Sequence, residues 1–204
     1  MLRLLIIVLV IIIALLRGGA LRNLAAVQLR WLPLVIASFA LQLLIFTPFV
    51  RSPLVAFATV PIYVVSMTLL VIWVAANWRI PGMALIALGL VLNVIAITAN
   101  GGHMPVSLES ARYAGTIGNY TRAGALVANN SIATQDNVRF WLLTDIIAVP
   151  KQIPFANVIS IGDVLLTIGV GSLCYRTIRR APPLGATEPM PETEAVEPAS
   201  GREP

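Results

Sequence analysis

Four stretches of this chain, 31–50, 52–78, 80–108 and 152–175, are long, apolar and almost free of charge, the last interrupted only by Asp163. A helix rises about 1.5 Å per residue, so roughly 20 apolar residues cross a hydrocarbon layer with every backbone group bonded inside the segment. No soluble domain of 204 residues needs four such stretches. The expected fold class is therefore all-α, a polytopic membrane helix bundle. Composition points the same way: 58% of residues are hydrophobic and 11% charged, against about a quarter charged in ordinary globular domains. The mean hydropathy is +0.87.

Charge is unevenly spread. Residues 1–180 hold thirteen of the fourteen basic residues but four of the nine acids. Basic residues beside a span attract anionic head groups at about 1 kcal/mol each, so membrane lipids are the expected partners. The arginines are scattered beside spans rather than gathered into one stripe, which argues against nucleic acid. The single cysteine, Cys174, excludes an internal disulfide and reads as span packing.

The first segment resembles a signal peptide in length, with Arg3 ahead of a 13-residue apolar stretch and with Gly18 and Ala20 in small-x-small spacing. Orientation argues for a retained span. With it in place, Arg17, Arg22, Arg30, Arg79, Arg176, Arg179 and Arg180 all fall on the cytoplasmic side, as the positive-inside rule requires; cleavage would reverse this. The expected map is five transmembrane helices near 2–16, 32–49, 54–77, 82–99 and 158–175, with the N-terminus outside and the C-terminus in the cytoplasm. A short surface helix or plain loop lies between the first two. Pro48 and Pro53 bracket an outer turn and Pro81-Gly82 an inner one. Residues 1–180 form the bundle; 181–204, rich in Pro and Glu, are expected to be a disordered cytoplasmic tail.

The outer connection, 100–157, is too long to be a simple linker. It opens with Asn100-Gly-Gly-His-Met-Pro-Val-Ser, where paired glycines permit turns other residues resist and Pro105 stops a continuing helix. Residues 113–135 are small and polar, suited to a flap. Residues 138–149 are mostly apolar but too short to span; they read as an outer re-entrant or interfacial segment with Phe140 and Trp141 at head-group depth.

Three carboxylates belong to this region: Asp136, Asp145 and Asp163. If the last helix began after Asp163, about 12 residues would remain, too few for roughly 30 Å, so Asp163 must sit within the bilayer's depth, about 7 Å below its outer edge. An Asp at mid-bilayer costs about 2.5–3.5 kcal/mol on insertion scales, and such residues usually face the bundle interior and mark function. The structural alternative is a helix cap, or a pair with Arg139. His103 is the only histidine and has no cysteine near it, so no metal site and no cofactor is expected. Asn93 and Gln42 read as interhelical hydrogen-bond partners.

Two resemblances follow from these residues. Asn100-Gly-Gly-His-Met-Pro-Val, Arg139-Phe-Trp-Leu-Leu-Thr-Asp-Ile-Ile and Ile159-Ser-Ile-Gly-Asp-Val-Leu-Leu together resemble an uncharacterised family of bacterial multi-pass integral membrane proteins over about residues 1–178. That implies the bacterial inner membrane and no particular chemistry. Residues 100–171 also resemble, in part, the lipoprotein signal peptidases, through Asn100-Gly-Gly102, Asp136, Leu143-Thr-Asp145-Ile, and Asp163 with Gly169 in the same order. This second resemblance implies an aspartyl membrane hydrolase with Asp136 and Asp163 as its catalytic pair, and Asn100, Gly102, Arg139, Asp145 and Ser160 supporting them or binding substrate. The substrate would be lipid-anchored or membrane-embedded. Ser160 stands where that family has Asn, and Ala133-Thr-Gln-Asp136 replaces its Gly-Asn-x-x-Asp. The other reading is a non-catalytic membrane subunit or lipid-binding module, working with partner membrane subunits, in which the aspartates are structural.

Overall fold

The computed structural model describes residues 2–46, 53–118, 131–134 and 137–180. The described chain is mostly helical, and every long apolar stretch contains a helix. Helices α1 (Leu2–Leu16), α3 (Leu32–Phe46), α4 (Pro53–Ala76), α5 (Met83–Ala99) and α7 (Ile161–Ile178) make up the bundle. The short α2 (Arg22–Ala25) follows α1. By length and composition, α7 is the one helix among the described residues that is long and apolar enough to cross a membrane; the other apolar helical segments searched are shorter.

Helix α7 is the axis of the packing, lying between α1 and α5. It runs parallel to α1: Arg3 meets Asp163, Val10 lies over Gly171, and Ala14 packs with Cys174 and Ile178. Against α5 it runs antiparallel through a glycine seam. Gly82 and Gly89 on one side face Gly169 and Gly162 on the other, and a Cβ on Gly89 would come within 2.5 Å of the Gly162 carbonyl oxygen. Only backbone fits there. The seam continues into Val74, Met83, Ile86 and Leu90, packed with Leu166, Val170 and Leu173.

Polar side chains tie the remaining elements. The Ser38 hydroxyl of α3 donates to the Ser66 carbonyl of α4 at 2.8 Å, and Gln42 Nε2 donates to Ser66 Oγ at 3.3 Å. At the end of α4, Asn77 takes the Arg30 amide on its Oδ1 at 2.9 Å and gives its Nδ2 to the Arg30 carbonyl at 3.0 Å, fixing the entry to α3. Asn23 fixes the start of the chain to the far end of α7 by donating to the carbonyls of Ile178 and Arg180.

The connection between α5 and α7 is a folded cap, with more β-structure than its sequence announces. Strand β1 (Met104–Ser107) pairs in parallel with β2 (Ser131–Thr134), α6 (Leu108–Tyr113) follows β1, and β3 (Ile147–Ala148) pairs antiparallel with β4 (Val158–Ile159). Val106, Ala111, Ala114 and Val158 give this cap its own small core. The segment expected to be re-entrant or interfacial is a 3-10 turn (Trp141–Leu143) leading into β3, with Phe140, Trp141 and Leu142 exposed. Residues 119–130 and 135 of the expected flap and the expected tail, 181–204, lie outside the described residues.

Candidate functional site

Two local devices bring the site together at the cap end of the bundle. The first is Asn100, at the C-terminus of α5. Its Nδ2 donates to the Ala96 carbonyl at 2.7 Å and the Arg139 carbonyl at 2.9 Å, and its Oδ1 accepts from the Arg139 amide at 2.9 Å. A side-chain amide here imitates one rung of backbone pairing and pins residue 139 to the end of α5. Gly101 and Gly102 make the reversal beside it, with φ of +71° and +88°, and any side chain on Gly102 would collide with Val60. The chain then passes through the 3-10 turn, where Leu143 packs with Ala96, Ile97 and Met104.

The second device is backbone pairing on both sides of Asp145. Its amide donates to the Pro105 carbonyl at 3.0 Å and its carbonyl accepts from the Ser107 amide at 2.9 Å, a parallel bridge to β1. Two residues later β3 pairs with β4, Ile147 opposite Ile159. Strand β4 in turn leads directly into α7, whose first turn carries Asp163.

Asp163 is held from three sides. Arg3 Nη1 donates to its Oδ1 at 2.7 Å, and Asn93 Nδ2 donates to the same oxygen at 3.2 Å. Ser160 is the N-cap of α7: its Oγ accepts from the Asp163 amide at 3.0 Å while its hydroxyl donates to Asn93 Oδ1 at 2.9 Å. The acid sits in the first turn of α7, where the helix dipole favours negative charge. Asn93 comes from α5 and Arg3 from α1, so one carboxylate joins three helices.

Asp145 has a different setting. It is 8% exposed, and its Oδ1 is buried with no hydrogen-bond partner. Burial and the neighbouring Asp163 charge push its carboxyl up from 3.8 to about 8, partly opposed by Arg3. At neutral pH it therefore keeps its proton beside a charged neighbour, so that a protonated acid and an ion-paired carboxylate share one site.

Of the residues picked out from sequence, Asp145, Asp163 and Ser160 come together here. Asn100 and Gly102 shape the approach through backbone contacts. Arg139 does not pair with Asp163: its backbone is clamped by Asn100 and the residue is exposed, and the cation on Asp163 is Arg3. Asp136 lies outside the described residues. Arg3 is the group that sequence reasoning missed, although the one charge in an apolar first helix and the one acid in an apolar last helix are natural complements. Among the described residues, no three His, Cys, Asp or Glu side chains converge as metal ligands.

A family of unknown function, DUF5317, matches residues 26–175, and the chain belongs to it. No curated protein and no solved structure matches the chain. The matched segment contains Asn93, Asp145, Ser160 and Asp163, while α1 with Arg3 precedes it.

Proposed function

We propose that this member of a family without assigned activity is a five-span protein of the bacterial inner membrane, whose outer end carries an acid–base pair made by Asp145 and Asp163. The membrane part is supported by the broad apolar surface of the helices and the polar side chains buried between them. Ser38, Ser66 and Asn77 are buried between helices, while Leu5, Leu9, Ile36, Phe39, Leu43 and Ile168 are exposed. Aromatic residues are exposed at both ends, Trp31 and Trp78 at one and Phe140, Trp141 and Phe155 at the other, as a bilayer with two interfaces favours. Arg79 stacks over Trp78, 5.6 Å from the ring centre.

The single observation carrying the chemistry is the buried, unpartnered carboxyl of Asp145 beside Asp163. A protonated acid next to a carboxylate is the division of labour hydrolysis of an amide needs. The Asp163 carboxylate takes a proton from water as its oxygen adds to the carbonyl carbon. Asp145 gives its proton to the leaving nitrogen as the C–N bond breaks, and a proton passing from Asp163 back to Asp145 restores the pair. The proposed substrate is a lipid-anchored or membrane-embedded peptide, reached at the outer leaflet. The resemblance to lipoprotein signal peptidases supports the reaction class, with Asp145 taking the part that resemblance assigns to Asp136.

The non-catalytic reading draws on one observation of its own: the Arg3, Asn93 and Ser160 network on Asp163 pins α1, α5 and α7 together. Purified protein in lipid nanodiscs, given fluorogenic membrane-anchored peptides, separates the two. Asp145→Asn and Asp163→Asn should each abolish cleavage while the helical content and melting temperature stay close to wild type, with Asp136→Asn retaining turnover. Loss of folding in both variants, with no cleavage by wild type, would favour the structural role.

A further inference from the structure

From the buried, unpartnered carboxyl oxygen of Asp145 beside the Arg3–Asp163 ion pair we infer that Arg3 is a built-in stand-in for a ligand, and that the Asp145–Asp163 pair is a receptor for an alkylammonium or guanidinium group. The inference rests on the acid–base pair proposed above and names what that pair binds.

Two carboxyl groups face one cation here, and one carboxyl oxygen, Asp145 Oδ1, is buried without any donor. A buried acceptor left unmet costs free energy that a donor entering the site would recover. Charged N–H groups are the strongest such donors, and a guanidinium or ammonium brings several on one centre, enough to serve Asp145 and Asp163 together.

Arg3 covers the pair as a plug, being the more exposed partner of its contact with Asp163. Helix α1 lies along α7 by one face, with Leu4, Leu5, Leu9 and Leu16 exposed on the rest of its surface. The Arg3 side chain is 45% exposed and the Asp163 side chain 11%, so the guanidinium stands at the mouth of the site with the carboxylate behind it. A cationic group arriving at the mouth would replace the 2.7 Å contact that Arg3 makes with Asp163 Oδ1 and gain the unmet acceptor on Asp145. The same chemistry is offered by the ethanolamine head group of a lipid and by a free amine or peptide amino group.

The test is chemical rescue of Arg3→Ala in phosphatidylglycerol nanodiscs with ethylguanidinium or ethylammonium as the probe. The variant should gain a dose-dependent rise in melting temperature, about 5 °C at a hundredfold excess over Kd. Wild type should respond at least tenfold more weakly, because Arg3 competes, and Arg3→Ala/Asp163→Asn should not respond. Nanodiscs made with phosphatidylethanolamine distinguish the source: a variant already stabilised there, and deaf to added amine, takes the lipid head group, whereas equal stability in both lipids assigns a free amine. Equal responses of Arg3→Ala and the double variant, or of Arg3→Ala and wild type, would overturn the inference. So would failure of both Arg3→Ala and Arg3→Gln to fold, which would make Arg3 a structural counter-ion. The infrared carbonyl band of a protonated carboxyl, lost in Asp145→Asn, reads the pair independently: band present with no cation response removes only the plug, and band absent removes the pair as well.

Discussion

A carboxyl group shut away from water and given no donor holds its proton, and Asp145 has both conditions with a second acid beside it. The consequence for stability has a definite sign. Its folded pKa, about 8, lies above the ordinary 3.8, so the folded protein binds the proton more tightly than the unfolded chain. That contribution is complete below about pH 4 and is lost as pH rises toward 8. Wild type should therefore melt at progressively lower temperature between pH 5 and pH 8, while Asp145→Asn, which has no proton to lose, should show a markedly flatter profile by circular dichroism in detergent. Parallel profiles would show that Asp145 is not held neutral. Among single residues, Asp163 was readable from sequence because an acid inside an apolar helix must be answered by something. What answers it was not readable: Arg3 is 160 positions away, and neither local pattern nor period encodes so distant a partner. Arg139, the nearer candidate, is used through its backbone instead.

At the scale of elements, apolar runs of 15 to 24 residues announce helices because nothing else satisfies so many backbone groups within one segment. The cap was opaque for the opposite reason. Strands of two to four residues are too short to show an alternating period, and the parallel pairing of β1 with β2 joins residues 27 apart. The glycine seam between α5 and α7 was visible as composition but not as contact. Its seven-residue spacing on both helices, Gly82 with Gly89 and Gly162 with Gly169, keeps one small face turned toward the partner over two turns. The seam sets how closely Asn93 can approach Asp163, so packing and site geometry are coupled. Gly89→Ala or Gly169→Ala should cost about 1–3 kcal/mol by overpacking and should loosen the Asn93–Asp163 contact. Denaturant titration in detergent measures this, and an unchanged midpoint for both variants would mean the helices are not in backbone contact.

Among the described residues, hydroxyls and amides lie between the helices beside the apolar core, while many leucines and isoleucines are exposed on their outer faces. In water that arrangement exposes far more apolar surface than a monomer ordinarily tolerates; in a bilayer it is the expected one. The parallel run of α1 and α7 puts Arg3, Asp145 and Asp163 at one end, with Arg17, Arg176 and Arg179 at the other. A membrane that keeps basic residues inside would therefore hold the acidic site outside. The most direct test is thiol accessibility in intact cells, with Cys174 replaced by Ala and single cysteines placed at Phe140 and Arg179. A membrane-impermeant maleimide should label the Phe140 position in intact cells and the Arg179 position only after permeabilisation. Labelling of Arg179 from outside, with Phe140 protected until the cells are opened, would contradict the account; so would recovery of the protein in the soluble fraction.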